Sequence, residues 1–159
     1  MGRIISIFNQ KGGVGKTTSV VNLAAALGRL NKKVLVVDID PQGNATSGLG
    51  VDKNSLQKSI YNVMIDNADI KNIIYNTTAE NVFIVPSNVE LAGAEIELIE
   101  KEDRELVLKK ALKDVKNSYD IIFIDCPPSL GLLSINGLTA SDSVIIPIQC
   151  EYYALEGVS

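Results

Sequence analysis

The sequence has no histidine and no tryptophan among its 159 residues. Histidine is the usual proton carrier near neutral pH, so its absence excludes imidazole acid–base chemistry. A zinc site is not expected either, because the two cysteines, Cys126 and Cys150, stand far apart and form no Cys-x-x-Cys pair. Any chemistry must therefore rest on carboxylates, lysines and backbone amides.

Aromatic residues and arginines are scarce as well. Phe, Tyr and Trp together make up 5% of the chain, whereas hydrophobic residues make up 46%, so the core is expected to be aliphatic. The only arginines are Arg3, Arg29 and Arg104, and the net charge is −4. Because binding of a phosphate backbone needs clustered cations, contact with DNA must come from a local patch or from residues outside this sequence.

Signals for membranes and secretion are also missing. No signal peptide precedes the first apolar stretch, at residues 4–8, and this stretch is far too short to span a membrane. Two separated cysteines without a secretion signal indicate free thiols in a reducing compartment. We therefore expect a cytoplasmic protein.

Aliphatic runs and helical patterns alternate along the chain. Runs that are apolar on both faces are typical of parallel strands covered by helices, so the sequence predicts an α/β fold with a doubly wound, mostly parallel sheet. Its length suits one domain, residues 1–159. Strands are predicted at residues 4–8, 34–37, 82–85, 121–124 and 144–148, helices at 17–30 and 55–65 with one or two more within 89–117, and a loop at 38–50.

The strongest motif, at residues 9–18, lies between the first strand and the first helix. Its core is Gly15-Lys16-Thr17, as in a phosphate-binding P-loop. Glycines let backbone amides face phosphate oxygens, the helix adds the positive end of its dipole, and Lys16 adds a cation. The Thr17 hydroxyl can bind Mg²⁺. The residues predicted to bind the nucleotide in this loop are Lys11, Gly12, Gly13, Val14, Gly15, Lys16, Thr17 and Thr18.

Three aspartates follow predicted strands. Asp125 ends an aliphatic strand, where an aspartate can hold Mg²⁺ or one of its waters, with Thr17 on the same ion. Asp38 and Asp40 end the second strand two residues apart, so both side chains should point towards the crevice where α/β folds bind ligands. One of these two carboxylates can orient an attacking water, and the other can support the Mg²⁺ shell.

The loop departs from the usual P-loop pattern, because Gln10 stands where the first glycine belongs and Lys11 follows it. This variant resembles the deviant Walker A ATPases. Asp-Ile-Asp-Pro-Gln-Gly-Asn at residues 38–44 and Ile-Asp-Cys-Pro-Pro-Ser at 124–129 are similar to motifs of the ParA/Soj chromosome- and plasmid-partitioning ATPases. This resemblance runs through residues 1–159 without a visible gap.

The resemblance implies roles for individual residues. Asp125 would hold Mg²⁺ and precede a switch segment at 126–131. Asp40 would activate the attacking water, and Asp38 would support the Mg²⁺ shell. Lys11 would reach the partner subunit's nucleotide across a sandwich dimer, and Glu151 would contact the ribose of that nucleotide. The catalytic residues predicted in this way are Lys11, Lys16 and Asp40, the metal ligands are Thr17, Asp38 and Asp125, and Glu151 joins the nucleotide-binding residues.

The resemblance also implies cofactors and partners. In the family, ATP and Mg²⁺ drive formation of a homodimer, the dimer binds DNA without sequence specificity, and a ParB-like protein stimulates hydrolysis. A nucleoid-associated cytoplasmic protein without membrane contact is expected. The DNA-binding residues of the family lie largely in a C-terminal portion. The sequence stops where a further helix is predicted to begin, near Ala154, which we interpret as truncation of a longer single-domain protein.

Other interpretations stay open. MinD-like division-site ATPases share the deviant loop and bind membrane through a C-terminal amphipathic helix, although residues 40–44 resemble the partitioning branch. An electron carrier similar to the nitrogenase iron protein would need cluster cysteines at a dimer interface. The chain could also be a fragment that folds without turning over ATP.

Overall fold

The aliphatic runs of the sequence form the centre of a six-stranded sheet. The structure is a computed structural model, and it describes residues 2–11 and 15–148. The strands are β1 (Arg3–Ile7), β2 (Val34–Asp38), β3 (Tyr75–Asn76), β4 (Val82–Val85), β5 (Ile121–Asp125) and β6 (Ser143–Ile145). Their order is β3-β4-β2-β5-β1-β6, and only the β3–β4 pair is antiparallel. The predicted doubly wound, mostly parallel α/β fold is confirmed.

Helices cover both faces of this sheet. The α-helices are α1 (Lys16–Arg29), α2 (Asn44–Gly48), α3 (Ile60–Met64), α4 (Ala94–Glu97), α5 (Val107–Leu112) and α6 (Leu132–Ala140), and short 3₁₀ turns lie at Ile70–Ile73, Val89–Gly93, Leu98–Glu100 and Lys116–Ser118. Val34 and Val36 pack in the core under α1 and α2, while Leu35 and Val37 pack in the core under α3, α5 and α6. This alternation follows from the two-residue period of a strand, so β2 must be apolar on both sides.

Several predicted elements differ from those observed. The predicted loop at 38–50 contains α2, and the helix predicted at 55–65 is confined to Ile60–Met64 because Ser59 caps it by accepting a hydrogen bond from the Tyr61 amide. The strand predicted at 144–148 is β6, which ends at Ile145 and is partly exposed because it pairs only with β1 within the described residues.

The strand β3 and the helix α6 lie where the sequence predicted neither a strand nor a helix. The strand β3 has only two residues, too few to show a period. The helix α6 has little amphipathic contrast, because small and polar residues such as Ser134, Asn136 and Gly137 lie on its buried side. Gly137 is needed there, since a Cβ at this position would lie 2.8 Å from the Cys126 sulfur. Helical periodicity therefore could not reveal α6.

The chain connections place a crevice at the carboxyl ends of β1 and β5. From β1 the chain passes through α1 to β2 on one side, and from β5 it passes through α6 to β6 on the other. Such a reversal in strand order is where open α/β sheets bind their ligands. Among the described helices, none combines the length and apolar character needed to cross a membrane.

Candidate functional site

The crevice gathers charged residues from three elements. Register places Asp125 at the end of β5 opposite Ile7 of β1 and opposite Asp38 of β2. The helix α1 begins at Lys16, directly above this edge of the sheet. Of the predicted site residues, Lys16, Thr17, Asp38, Asp40 and Asp125 therefore lie together. The predicted residues Gly12, Gly13, Val14 and Glu151 lie outside the residues that the structure describes.

The start of α1 is built to receive an anion. Gly15 precedes the helix with a φ of 84°, a left-handed conformation that disfavours residues with a Cβ. The first turn carries no acidic side chain and no side-chain cap, so its amides keep the positive end of the helix dipole available. Lys16 adds a nearly buried ammonium group at the same place.

Asp125 has one carboxylate oxygen in use and one that is not. Its Oδ2 accepts a hydrogen bond of 3.0 Å from the Thr17 hydroxyl. Its Oδ1 is buried and has no hydrogen-bond partner among the described residues. Burial raises the pKa of this carboxyl, and the Lys16 charge and the Thr17 hydrogen bond oppose that rise. An unpaired buried carboxylate oxygen is costly for a protein, and a divalent cation held by this carboxylate would satisfy it.

Within residues 2–11 and 15–148, no three carboxylate or thiolate side chains converge as a complete metal cage. The residues present nevertheless fit Mg²⁺, because that ion is commonly held by one or two carboxylates together with substrate phosphates and waters. A hydroxyl, one carboxylate and an adjacent phosphate-binding helix end are such a set.

Asp38 is fully buried, and its oxygens are engaged by the protein itself. Its Oδ2 accepts hydrogen bonds from the Thr46 amide, at 2.9 Å, and from the Thr46 hydroxyl, at 2.7 Å. Its Oδ1 accepts a bond of 3.1 Å from the Asp40 amide. Burial, and then the neighbouring charge of Asp125, raises the pKa of Asp38. The observed contacts of this carboxylate are thus with α2 and with the backbone of Asp40, and its predicted metal role stays a prediction.

Asp40 lies at the mouth of the crevice and is nearly buried. Its Oδ1 accepts a hydrogen bond of 3.0 Å from the Gln42 amide, and its Oδ2 lies 4.0 Å from Lys16 Nζ. A cleft of about 290 Å³ opens beside these groups. Its lining residues are Lys16, Thr17, Thr18, Asp40, Gln42, Asn44 and Pro128. The cleft therefore brings together the predicted phosphate-binding lysine, the predicted water-activating carboxylate and the predicted switch segment.

Three buried polar residues of this region were not predicted as site residues. Asn9 accepts a hydrogen bond from the Lys11 amide and donates one to the Pro147 carbonyl, so it ties the start of the P-loop to the segment after β6. Thr46 and Ser87 hydrogen-bond around Asp38 and Asp40. Asn9 stood within the quoted motif, whereas no sequence pattern singles out Thr46 or Ser87.

Cys126 follows Asp125 directly and is buried. Burial raises the pKa of its thiol to about 12, so the group is an inert hydrophobic contact at neutral pH. A cysteine that holds an iron–sulfur cluster between two subunits must be accessible as a thiolate. The geometry of Cys126 therefore argues against the cluster-binding interpretation.

Comparisons with known proteins agree with this geometry. A family model described as an AAA domain, AAA_31, matches residues 2–159. The chain belongs to the AAA_31 family.

This AAA_31 domain has relatives with established names. It is 62% identical over 159 residues to the sporulation initiation inhibitor protein Soj of Bacillus subtilis, covering 100% of this chain and 63% of that protein. It is 51% identical to the chromosome partitioning protein ParA of Myxococcus xanthus, covering 56% of that protein. The chain thus spans about three fifths of the length of these relatives, and its resemblance to the ParA/Soj ATPases is confirmed.

A solved structure shows what a relative binds at this fold. Cobyrinic acid a,c-diamide synthase from Mycobacterium smegmatis, solved with an ATP analogue and magnesium, superposes with a TM-score of 0.95 at 44% identity. The match covers 99% of this AAA_31 domain and 64% of that protein. That protein therefore binds an ATP analogue and magnesium, and this agrees with ATP and Mg²⁺ as the cofactors predicted from the sequence.

Proposed function

We propose that this chain is the ATP-binding portion of a ParA/Soj-type partitioning ATPase, with residues 1–159 forming its P-loop domain. In this proposal the protein binds Mg-ATP, dimerises, and hydrolyses ATP to ADP and phosphate as a switch in chromosome or plasmid partitioning. The supporting observation is the buried Asp125 carboxylate beside Thr17 and Lys16, with one oxygen lacking a partner within the described residues. The names of the Soj and ParA relatives support the partitioning role.

Phosphate binding falls to the start of α1. The unneutralised amides of its first turn would bind phosphate oxygens, and Lys16 would place its ammonium group on the β- and γ-phosphates. Residues 12–14 and Thr18 complete the predicted loop. Lys16 Nζ lies 4.0 Å from Asp40 Oδ2, and both residues line the cleft.

Thr17 and Asp125 are the residues that would hold Mg²⁺. The ion supplies charge neutralisation of the phosphates when it is bound. The protein's own part is to orient the Thr17 hydroxyl and one Asp125 oxygen side by side, which the 3.0 Å hydrogen bond between them already does. Asp38, which accepts its bonds from Thr46 and Asp40, would support this shell indirectly through its position next to Asp125.

Asp40 would orient the attacking water and accept its proton, because it lines the cleft with one carboxylate oxygen directed at Lys16. Lys11 would enter the partner subunit's site and stabilise the charge that develops on the transferred phosphate. Glu151 would contact the ribose. Hydrolysis would then depend on the ATP-bound dimer, and a ParB-like protein would stimulate it. The dimer would act in the cytoplasm and bind DNA without sequence specificity.

The experiment that tests the nucleotide site is a titration of this chain with a fluorescent ATP analogue and Mg²⁺. Lys16→Ala removes the predicted phosphate cation, and Lys32→Ala is the matched control because Lys32 is an exposed lysine beyond the other end of α1. We expect saturable binding in the wild type and in Lys32→Ala, and a loss of about 100-fold or more in Lys16→Ala.

A folded wild-type chain that binds no nucleotide would contradict the proposed site for this chain. Equal weakening by both lysine substitutions would show that general charge, rather than the P-loop, attracts the nucleotide. Omission of Mg²⁺ provides a second check, because the site proposed at Thr17 and Asp125 requires the analogue to bind more weakly without the ion.

A further inference from the structure

We infer that Thr46 and Ser87 are positioning residues that hold Asp40 in place for hydrolysis. The inference rests on the proposed function, in which Asp40 orients the attacking water. Neither residue lines the cleft beside Asp40, and neither belongs to a predicted motif. Their effect on the reaction would pass through the backbone of Asp40.

The observation that supports this inference is a closed ring of hydrogen bonds. The Thr46 hydroxyl donates to Asp38 Oδ2 at 2.7 Å and accepts from the Ser87 amide at 3.0 Å. The Ser87 hydroxyl donates to the Asp40 carbonyl at 2.7 Å, and the Asp40 amide donates to Asp38 Oδ1 at 3.1 Å. We call Asp38, Asp40, Thr46 and Ser87 the aspartate ring. Each hydroxyl in this ring has one defined role as donor, so the pattern is chemically consistent.

The aspartate ring connects three separate parts of the fold. Asp38 ends β2, Thr46 lies in α2, and Ser87 follows β4. The exposed fractions are 0% for Asp38, Thr46 and Ser87 and 5% for Asp40. Hydrogen bonds among buried groups are strengthened by the low local dielectric, and leaving one partner unmatched there is correspondingly costly.

Asp40 needs such support because the sheet does not hold it. The last backbone bond from this segment to β5 is made by Ile39, whose amide donates to the Asp125 carbonyl. Beyond that point, the Asp40 amide is bound by Asp38, and the Asp40 carbonyl is bound by the Ser87 hydroxyl and the Gly43 amide. The aspartate ring therefore holds the backbone of Asp40 together with the Gly43 amide, and the Gln42 amide holds the carboxylate that enters the cleft.

Thr46→Val and Thr46→Ser form a matched pair for the test. The valine side chain has nearly the shape of threonine but can neither donate to Asp38 nor accept from the Ser87 amide, and the backbone amide at position 46 keeps its own bond to Asp38. Serine keeps the hydroxyl and loses only a methyl group. Ser87→Ala is the second variant, since it removes the bond to the Asp40 carbonyl from the opposite side of the ring.

The first measurement is amide hydrogen exchange of the nucleotide-free chain. In Thr46→Val, the amides of Ser87 and Asp40 should exchange about five- to tenfold faster relative to the amide of Val36 in the central strand. In Thr46→Ser this ratio should stay near that of the wild type. If valine and serine change the ratio equally, or if neither changes it, the aspartate ring does not hold Asp40 and the inference is overturned.

The second measurement separates nucleotide binding from hydrolysis. Thr46→Val and Ser87→Ala should each lower kcat about tenfold or more while the Kd for the Mg-ATP analogue stays within about twofold, and Thr46→Ser should restore kcat. In an Asp40→Ala background, Thr46→Val should cause no further loss, because the residue it positions is gone. A full additional loss in that background would overturn the inference.

The two proposals fail in different ways. A wild-type chain that binds no Mg-nucleotide contradicts the proposed function, and the exchange measurement still decides whether the ring orders Asp40. A wild-type chain that binds and hydrolyses ATP, together with a Thr46→Val variant of unchanged kcat, contradicts only the positioning role of Thr46 and Ser87.

Discussion

Aspartate side chains at the two ends of the parallel strands have opposite pKa shifts; we call these ends of the sheet the amino edge and the carboxyl edge. At the amino edge, Asp142 lies before β6, accepts a hydrogen bond from the Ile4 amide and pairs with Lys116 at 3.2 Å. These contacts, the backbone bond first, lower the pKa of Asp142. At the carboxyl edge, burial raises the pKa of Asp125, and one of its oxygens has no partner among the described residues.

This difference indicates that the Asp142 carboxylate stabilises the fold, whereas the Asp125 carboxylate destabilises it. Asp142 is exposed and has the Ile4 amide and Lys116 as partners, so its negative charge is stabilised where it lies. Asp125 is buried, and within residues 2–11 and 15–148 one of its oxygens has no hydrogen-bond partner, an arrangement typical of ligand and catalytic sites. The comparison predicts that substitutions at the two edges should change different quantities, and each of the following experiments tests a part of that expectation.

The largest effect is expected from Lys11→Ala. If Lys11 enters the nucleotide site of the partner subunit, its loss should lower the rate of ATP hydrolysis by about 10³–10⁵-fold. This is the range for charges supplied in trans to other nucleotide hydrolases. Nucleotide binding should be retained in part, because Lys16 remains. Steady-state phosphate release measures the effect, with Lys32→Ala as the control. Turnover at the wild-type rate would refute the trans role of Lys11.

Asp40→Ala should lower hydrolysis by about 10²–10⁴-fold, the usual contribution of a positioned general base. Binding of Mg-ATP should persist, because Lys16, Thr17 and Asp125 are untouched, so the nucleotide-bound dimer should accumulate. Light scattering coupled to gel filtration, run with ATP and with ADP, measures this accumulation. A variant that stays monomeric and hydrolyses ATP normally would rule out the assigned role.

Asp125→Asn should separate stability from binding at the carboxyl edge. The nucleotide-free chain should become more stable by about 1–3 kcal/mol at neutral pH, because a buried charge is removed. Mg²⁺-dependent nucleotide affinity should fall by about tenfold or more. Chemical denaturation and the analogue titration measure the two effects. A less stable Asp125→Asn chain would contradict the interpretation that this carboxylate lowers the stability of the folded state.

The stabilisation should also depend on pH in a defined direction. The folded-state pKa of Asp125 is raised, so the stability of the folded state falls as pH rises from the ordinary aspartate pKa to the raised pKa, and it levels off above the raised pKa. Below the ordinary aspartate pKa, both folded and unfolded states are protonated and the penalty disappears. The difference in stability between wild type and Asp125→Asn should therefore shrink on acidification.

The smallest effect is expected at the amino edge. Asp142→Ala removes the bond to the Ile4 amide and a partly exposed ion pair, so it should lower stability by about 1 kcal/mol or less. Its effect on nucleotide affinity should be undetectable in the same titration. A marked loss of affinity in Asp142→Ala would break the separation between the two edges.

Local signals in the sequence were sufficient for the centre of the fold. The strands at 34–37, 82–85 and 121–124 were predicted to within one residue because each is a short aliphatic run buried on both faces. The helix α1 and its phosphate loop were predicted because glycine, lysine and threonine occur there at a spacing with few other uses. Asp125 and Asp40 were predicted because strand ends and motifs mark them directly.

Only the tertiary structure decided how these residues are supported. The helix α6 lacks a clear apolar stripe because its packing against β1 and Cys126 requires small residues, so periodicity could not reveal it. Thr46 and Ser87 are separated by 41 positions and become neighbours only when α2 and the segment after β4 meet at the end of β2. A sequence pattern records local periods and short motifs, whereas the burial of Asp125 and the closure of the aspartate ring depend on long-range packing.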